Sequence, residues 1–302
     1  MVNTSATDSL LTEKDKKKIK LHISQGDLDE IVRILKRLST LHAGTAKTKD
    51  KRFVISEIVK HAENSLSGNP KYFFETGKKL CDSSNDNAKE IGISIIWRGY
   101  AQDPVVTEKS LLKIADDSNW EVREYAGNAF ANVLKQNPNM HSKMLKWSGH
   151  HSENVRRAVV FSSLAYKEKG DVAKAFEILK PLLKDSSKYV KKNLGPFILG
   201  GHFGNRFPNE TFALLRSLVK NKDTNVLWNV AMSFNNSFGN HFPEKSLQIL
   251  SQINHSENVS VRKAIISTLR HLQRRHSALI NDFCSELNLS IKKAPSKKRR
   301  LK

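Results

Sequence analysis

The sequence predicts an all-α protein made of repeated helix pairs, and three observations indicate this fold class. Apolar residues recur with helical spacing in stretches such as those at 110–117 and 173–185. The eight prolines and fourteen glycines are few, and we expect them between such stretches, where they end helices. A series of alternating strands joined by tight turns, which a β-sheet would need, is not found.

A short pattern recurs along the chain and sets the length of the repeat. DSNWEVR at 117–123 is followed by HSENVRR at 151–157 and DSSKYVK at 185–191, and HSENV returns at 255–259. The matching valines at 122, 155, 190, 226 and 261 stand 33 to 36 residues apart. In each copy a polar turn offers an Asp, Ser or Asn that can cap the helix that follows. We therefore predict a right-handed α-solenoid of HEAT-like repeats, in which each Val packs inward and its basic neighbours line a concave surface.

The ends of the chain differ in composition from the repeats. We predict a flexible segment at 1–15, a repeat domain at 16–289 and a basic disordered tail at 290–302. The tail contains Lys297-Lys298-Arg299-Arg300, which would act as a nuclear localisation signal in a eukaryote or as an arm that grips DNA. The alternative is a tail that only increases solubility.

The charge of the chain predicts a polyanionic partner. Lys and Arg number 51 against 30 Asp and Glu, which gives a formal net charge of +21. DNA, RNA, an anionic membrane and an acidic protein are the candidates, and we favour duplex DNA. No apolar run long enough to span a membrane is found. We expect an intracellular protein, nuclear in a eukaryote and in the cytoplasm or nucleoid of a bacterium, that acts as a monomer without a metal or cofactor.

Basic residues follow the inward valines and form the predicted DNA-binding set. Such residues would contact phosphates and fix position without reading base sequence. The alternative is that they form ion pairs between repeats or a solvated helix face. The residues that follow the valines are Arg123, Arg156, Lys191, Lys192, Arg262 and Lys263, and Arg206, from the segment 200–206, completes the set.

Three segments carry a resemblance to known enzymes. They are Trp120-Glu121-Val122-Arg123-Glu124, then Lys146-Trp147-Ser148 with the Arg pair at 156–157, and Ser187 to Lys192. Together they resemble the AlkD and AlkC families of HEAT-like-repeat alkylpurine DNA glycosylases, over roughly residues 111–239. The resemblance implies excision of 3-methyladenine and 7-methylguanine, with Trp120 and Glu124 meeting the lesion and Arg157 assisting.

The chemistry of this reaction suits those residue types. An alkylated purine that carries a positive charge is already a good leaving group, so the enzyme must mainly stabilise an oxocarbenium-like sugar and position water. Glu124 could do both, and Trp120 could contact the cationic nucleotide through its π face. Arg157 would hold the neighbouring phosphate. The alternative is that Trp120 is a packing residue and Glu124 an ordinary partner of Arg157.

The sequence also departs from these families. Pro196 stands where the AlkD-like pattern has a second aromatic residue, and Gly200 and Phe161 stand where the AlkC-like pattern has carboxylates. We expect Gly195-Pro196 to break or kink its helix and residues 200–206 to form a flexible loop on the DNA side. A second hypothesis is therefore a non-catalytic HEAT-repeat module that binds DNA structure or a nucleic-acid-associated partner.

Overall fold

The computed structural model describes residues 9–254, 257–287, 289 and 291, and every regular element within them is helical. The predicted all-α class is confirmed. None of these helices combines the length and apolar character that crossing a bilayer requires. The predicted tail, apart from residue 291, lies outside the described residues, as do 1–8 and the His255-Ser256 part of the last repeat copy.

Contacts divide the chain into two compact units, Met1–Ala165 and Tyr166–Lys302. In the first unit, short 3-10 helices follow the fifth and ninth α-helices, at Ile96–Gly99 and Ser163–Tyr166. The α-helices of this unit are α1 (Glu13–Gln25), α2 (Leu28–Arg37), α3 (Thr48–Ser65), α4 (Pro70–Cys81), α5 (Asp86–Ile95), α6 (Pro104–Ala115), α7 (Trp120–Gln136), α8 (Met140–Trp147) and α9 (Glu153–Ser162).

The helices of the first unit pack as successive pairs. In each pair the first helix contacts the second, as α4 with α5, α6 with α7 and α8 with α9. The second helices also stack on one another in chain order, α5 on α7 and α7 on α9, and α3 packs on α5. This stacking of one repeat on the next confirms the helical-repeat organisation predicted from the recurring pattern.

Helix α1 begins inside the segment predicted to be flexible. It starts at Glu13 rather than at residue 16, because the Thr12 side chain accepts a hydrogen bond from the Asp15 backbone N–H while the Asp15 carboxylate accepts one from the Thr12 N–H. This reciprocal pair satisfies two amides at the helix start. Ser9 and the Leu10 N–H also donate hydrogen bonds to Asp50, which ties this segment to α3.

The second unit contains an unusual helix at the position where the sequence predicted a break and a loop. Residues Leu194–Gly204 form a π-helix that continues directly from the preceding α-helix. The α-helices of this unit are α10 (Val172–Leu182), α11 (Lys188–Asn193), α12 (Pro208–Leu218), α13 (Thr224–Met232), α14 (Ser237–His241), α15 (Pro243–Ile253), α16 (Val259–Gln273) and α17 (Ser277–Glu286).

The expectation of a flexible loop at 200–206 is therefore wrong, whereas at Gly195-Pro196 the regular α-helix gives way to a π-helix without leaving the helical path. The Asn236 side-chain amide donates a hydrogen bond of 2.7 Å to the Pro196 carbonyl, and Gly200 is buried. A Cβ atom on Gly200 would lie 2.0 Å from the Ser233 carbonyl oxygen. Close packing against the segment 229–238 thus holds the π-helix, and the glycines permit that approach.

The capping residues and inward valines of the repeats are confirmed. In each copy a side-chain oxygen of the turn accepts a hydrogen bond from the first-turn backbone of the second helix, which fixes where that helix starts. The caps are Asn119, Ser152, Ser187, Asp223 and Asn258. The valines that follow them are fully or almost fully buried, namely Val122, Val155, Val190, Val226 and Val261.

Candidate nucleic-acid site

A pocket of about 590 Å³ opens beside the N-terminal half of α7 in the first unit. One face of α7 lines it, and α3, α5 and the loop before α3 supply the opposite side. The lining residues are His42, Thr48, Arg52, Ile55, Ser94, Trp120, Glu121, Glu124, Tyr125, Asn128, Ala129 and Asn132. Two of the three residues that the sequence proposed for catalysis therefore face one cavity.

Glu124 and Arg157 form an ion pair between neighbouring repeats. The Arg157 Nη2 group donates to the Glu124 Oε1 atom. The Arg157 side chain is buried, with its guanidinium carbon 4.8 Å from the centre of the Phe161 ring, whereas 42% of the Glu124 side chain is exposed. Arg157 thus holds the Glu124 carboxylate from its buried side. The contact expected from the alternative, in which Glu124 is a partner of Arg157, is present.

Trp120 lies at the surface, where it is open to solvent. Its exposed fraction is 42%, and its ring contacts the His42 ring edge-on, with 5.1 Å between the centroids and 80° between the planes. The expectation that Trp120 is only a packing residue is therefore wrong. An indole in this position offers an aromatic surface to a ligand in the pocket.

A buried lysine that sequence reasoning missed stands behind the pocket. Lys51 of α3 is fully buried, and its Nζ atom contacts the carboxylate of Glu90, lies 3.0 Å from Glu121 Oε1 and lies 3.1 Å from Thr45 Oγ1. The same ammonium lies 5.1 Å from the centre of the Tyr125 ring. Lys51 precedes the recognised repeat copies, so no signal in the sequence identified it.

This network fixes Glu121 in the pocket wall and shifts the acidity of its neighbours. The Thr45 hydroxyl donates to Glu121 Oε2 at 2.6 Å, so both oxygens of Glu121 are held. Burial raises the pKa of Glu90 to about 7, against the opposing effect of the Lys51 charge. Burial, together with the charges of Glu90 and Glu121, also raises the pKa of Tyr125. Burial thus makes both Glu90 and Tyr125 harder to ionise than the same groups in water.

Two arginines of the predicted DNA-binding set hydrogen-bond to the protein's own backbone. The Arg123 Nη1 group donates to the carbonyls of Asp117 and Ser118 at 2.7 and 2.9 Å. Arg156 does the same one repeat later, to the carbonyls of residues 150 and 151. These guanidinium groups donate hydrogen bonds to carbonyls at the turn between two helices. This structural role differs from the phosphate contact predicted from the sequence.

Lys191 is buried rather than exposed. Its ammonium donates to Asn225 Oδ1 at 2.9 Å and lies 4.7 Å from the centre of the Trp228 ring. Burial lowers the pKa of Lys191, since the aspartates that oppose this shift act only at a distance. Lys191 is thus not placed to contact a phosphate at the surface, which corrects the expectation for this residue.

The remaining members of the predicted DNA-binding set are exposed. They lie at the start of α16 and on either side of the π-helix, in the second unit. Within the described part of the chain, no group of three or more His, Cys, Asp or Glu side chains is arranged to hold a metal ion. The exposed residues are Lys192, Arg206, Arg262 and Lys263.

Comparison with known proteins gives a match to one family and to several solved structures. A family described as DNA alkylation repair enzyme matches residues 46–199. A designed armadillo repeat protein, solved with the peptide (KR)4, is 18% identical, with 84% of this chain and 98% of that chain covered and a TM-score of 0.33. A search of curated proteins finds no match. The family match spans more than half of the chain, so this protein belongs to the DNA alkylation repair enzyme family.

Proposed function

We propose that the protein is a monofunctional DNA N-glycosylase that excises cationic alkylated purines, such as 3-methyladenine and 7-methylguanine, from duplex DNA. One observation carries the proposal. Trp120 and Glu124 line a single pocket on α7, inside the region that matches the repair family. Membership of this family supports a role in alkylation repair, with DNA as the substrate.

The reaction breaks the bond between C1′ of the sugar and a ring nitrogen of the base. The bonding electrons leave with the base, which departs neutral because it was positively charged, and C1′ becomes oxocarbenium-like. The Glu124 carboxylate stabilises that positive charge and accepts a proton from the water that adds to C1′. The base leaves without needing a proton, so no separate general acid and no cofactor are required.

Arg157 has a different role from the one that the resemblance implied. Because its guanidinium is buried against Glu124 and Phe161, we assign it to positioning the carboxylate rather than to gripping a phosphate. The exposed cations Lys192, Arg206, Arg262 and Lys263 are the proposed phosphate contacts. Arg123 and Arg156 are weaker candidates, since they already bind turn carbonyls.

The test is release of free base from duplexes that contain 7-methylguanine or 3-methyladenine, measured by chromatography. Glu124→Gln keeps the size of the side chain and removes its charge, so we expect the excision rate to fall by roughly a hundredfold or more. Glu210→Gln, in the exposed first turn of α12, is the matched control and should leave the rate unchanged.

A non-catalytic DNA-binding module is the second candidate, and a specific observation favours it. Gly200 occupies the position of a carboxylate in the AlkC-like pattern, and its close contact with Ser233 leaves no room there for any side chain. Phe161, at a second such position, packs on Arg157. Duplex binding that weakens with salt, together with no base release by the wild type, would support this candidate and contradict the glycosylase.

A further inference from the structure

A second pocket of the first unit lies between α1 and α2, before the region that matches the repair family. Its volume is about 380 Å³, which falls within the range of roughly 300–1,000 Å³ that is typical of ligand pockets. Helices α1 and α2 pack against each other, and the residues that line the pocket belong to these two helices or to the Thr12 cap of α1. This cavity is therefore built by one helix pair and is separate from the pocket beside α7.

The charge of this pocket is opposite to that of the pocket beside α7. There, two carboxylates face the cavity and Arg52 is the only Lys or Arg in the lining. Between α1 and α2, cations outnumber carboxylates by two. A concave site with an excess of positive charge favours an anion. The charged lining residues are Lys14, Lys18, Arg33 and Arg37, with Asp15 and Glu30.

The four cations form two pairs, one on each wall. Lys14 and Lys18 are four residues apart on α1, and Arg33 and Arg37 are four residues apart on α2. Residues with this spacing share one helix face and are neighbours one turn apart. Each wall therefore offers positive charge at two levels, which suits an elongated ligand with several negative groups better than a single small ion.

The carboxylates of the lining hold the two arginines in place. The Arg37 Nη2 atom lies 2.5 Å from Asp15 Oδ1, and the Arg33 Nη1 atom lies 2.8 Å from Glu30 Oε2. Both arginine side chains remain mostly exposed. Because a guanidinium carries five N–H donors in a fixed plane, each arginine keeps donors for a ligand after binding its carboxylate.

The two lysines of α1 supply the remaining positive charge. Lys14 and Lys18 are exposed, and neither forms an ion pair with another residue of the described ranges. The neighbouring Glu13 pairs with Lys16 instead. The positive end of the α1 dipole lies at the same wall, because Thr12 caps this helix and lines the pocket.

We propose that the pocket between α1 and α2 binds a short chain of phosphate groups, as in inorganic tripolyphosphate or the triphosphate of a nucleotide. Phosphate oxygens accept bidentate hydrogen bonds from arginine and point-charge contacts from lysine, and the walls supply both. No aromatic side chain is among the described residues that line the pocket, so it offers no stacking surface for a base. The site thus recognises the phosphates and not the base. This inference does not depend on the proposed glycosylase function.

The experiment measures binding of sodium tripolyphosphate to the full-length protein by calorimetry at physiological salt. Lys14→Gln combined with Lys18→Gln removes the two lysine charges and should weaken binding by at least about tenfold. Lys17→Gln combined with Lys36→Gln is the matched control, since it removes the same charge from exposed positions of α1 and α2 outside the lining. This control should change the affinity by less than about twofold. ATP should bind within about threefold of tripolyphosphate, because the base is not recognised.

Several results would overturn the proposal. One is the absence of tripolyphosphate binding by the wild type, and another is an equal loss in the two double variants, which would make net charge the cause. ATP that binds far more tightly than tripolyphosphate would show that the base is recognised. If undamaged duplex DNA displaces tripolyphosphate and loses affinity only when Lys14 and Lys18 are replaced, the pocket belongs to the DNA-binding surface and the small-ligand proposal fails.

Excision of 7-methylguanine is measured on the same variants, so the two proposals can fail separately. The variant without Lys14 and Lys18 should keep the wild-type excision rate, and a lowered rate would likewise assign the pocket to DNA. If the wild type binds tripolyphosphate in the expected way but releases no base from DNA, the phosphate pocket stands and the proposed enzyme function fails.

Discussion

The two units bury cations at related places but surround them differently. In the first unit, the buried Arg157 pairs with Glu124, and the buried Lys51 is shared between Glu90 and Glu121. In the second unit, the buried Lys191 donates a hydrogen bond to the neutral Asn225 amide and faces the Trp228 ring, while Asp185 and Asp223 act on its charge from a distance. Arg157 lies two residues after the inward Val155 and Lys191 lies one residue after the inward Val190, so buried cations at neighbouring positions of the repeat have different electrostatic surroundings.

This difference indicates a division of labour between the units. Carboxylates in the first unit pair with its buried cations, and Glu121 and Glu124 line the pocket beside α7. Among the described residues of the second unit, Asp185 and Asp223 act on Lys191 only from a distance. The exposed Lys192, Arg206, Arg262 and Lys263 of this unit suit phosphates. The net positive charge of the chain therefore does not predict the local electrostatics of an individual site.

The largest expected effect is on the stability of the first unit. Lys51→Met leaves Glu90 and Glu121 without their cation in a buried setting, so we expect the free energy of unfolding to fall by about 3–5 kcal/mol. Lys191→Met in the second unit removes a hydrogen bond to a neutral amide and a contact with the Trp228 ring. Because it strips no carboxylate of a direct ion-pair partner among the described residues, the free energy of unfolding should fall by only about 1–2 kcal/mol. Urea unfolding of both variants measures the contrast, and equal losses would contradict it.

The next largest effect concerns the π-helix of the second unit. A Cβ on Gly200 would lie 2.0 Å from a backbone oxygen, so Gly200→Ala must shift the helix and should cost about 1–3 kcal/mol or more. At Gly201 the nearest atom would be 3.4 Å away, and alanine there should be neutral or stabilising. Thermal unfolding compares the two neighbours. A tolerated Gly200→Ala would show that the contact with Ser233 does not hold the π-helix.

The third effect is a pH dependence confined to the first unit. Glu90 has a pKa of about 7 when folded and an ordinary value of 4.5, so between these values the folded state keeps a proton that the unfolded chain has released. The free energy of unfolding should therefore fall as pH rises through this window, by up to about 1.4 kcal/mol per pH unit, and level off above it.

Glu90→Gln isolates this contribution. The free energy of unfolding of the wild type minus that of the variant should fall as pH rises towards 7. Above pH 7, where the folded wild type has released the proton, this difference should no longer change with pH. Urea unfolding from pH 5 to pH 8 supplies the measurement, with Glu210→Gln as the exposed control. A wild-type minus Glu90→Gln difference that is flat from pH 5 to pH 7 would show that Glu90 titrates normally.

The smallest effects are expected for DNA affinity. Lys192→Ala and Arg262→Ala each remove one exposed cation of the second unit, so duplex affinity should fall a few-fold and the salt dependence should weaken by about one ion per contact. Arg123→Ala in the first unit removes a side chain bound to turn carbonyls and should affect stability more than binding. Fluorescence anisotropy titrations across salt concentrations distinguish these outcomes. If Arg123→Ala lowers duplex affinity as much as Lys192→Ala does, Arg123 contacts DNA and its role at the turn carbonyls is not its main one.

Local features of the fold were predictable from the sequence. The capping side chain and the inward valine of each repeat lie a few residues apart, so the string that contains them determines both the helix start and its buried face. The same locality explains why the α-class and the repeat were predicted correctly. Trp120 and Glu124 were placed together for this reason, since they lie one turn apart on α7.

Features that depend on distant partners were not predictable. Gly195 and Pro196 normally end a helix. Here the α-helix changes to a π-helix instead, and the hydrogen bond from the distant Asn236 to the Pro196 carbonyl supports that change. A lysine such as Lys51 is normally expected at the surface. Its burial depends on Glu90 and Glu121, which other helices contribute. For arginine, the spacing alone does not show whether the guanidinium meets a phosphate or a backbone carbonyl.

The buried lysine of α3 also bears on the order in which the chain folds. Its bond to Glu121 spans 70 residues, whereas the Arg157–Glu124 pair spans 33, about one repeat. Contacts between distant residues cost more loop-closure entropy and form later than contacts between neighbours. We therefore expect α3 to dock after α5 and α7 have paired, so that Lys51→Met accelerates unfolding in stopped-flow traces while the refolding rate stays unchanged.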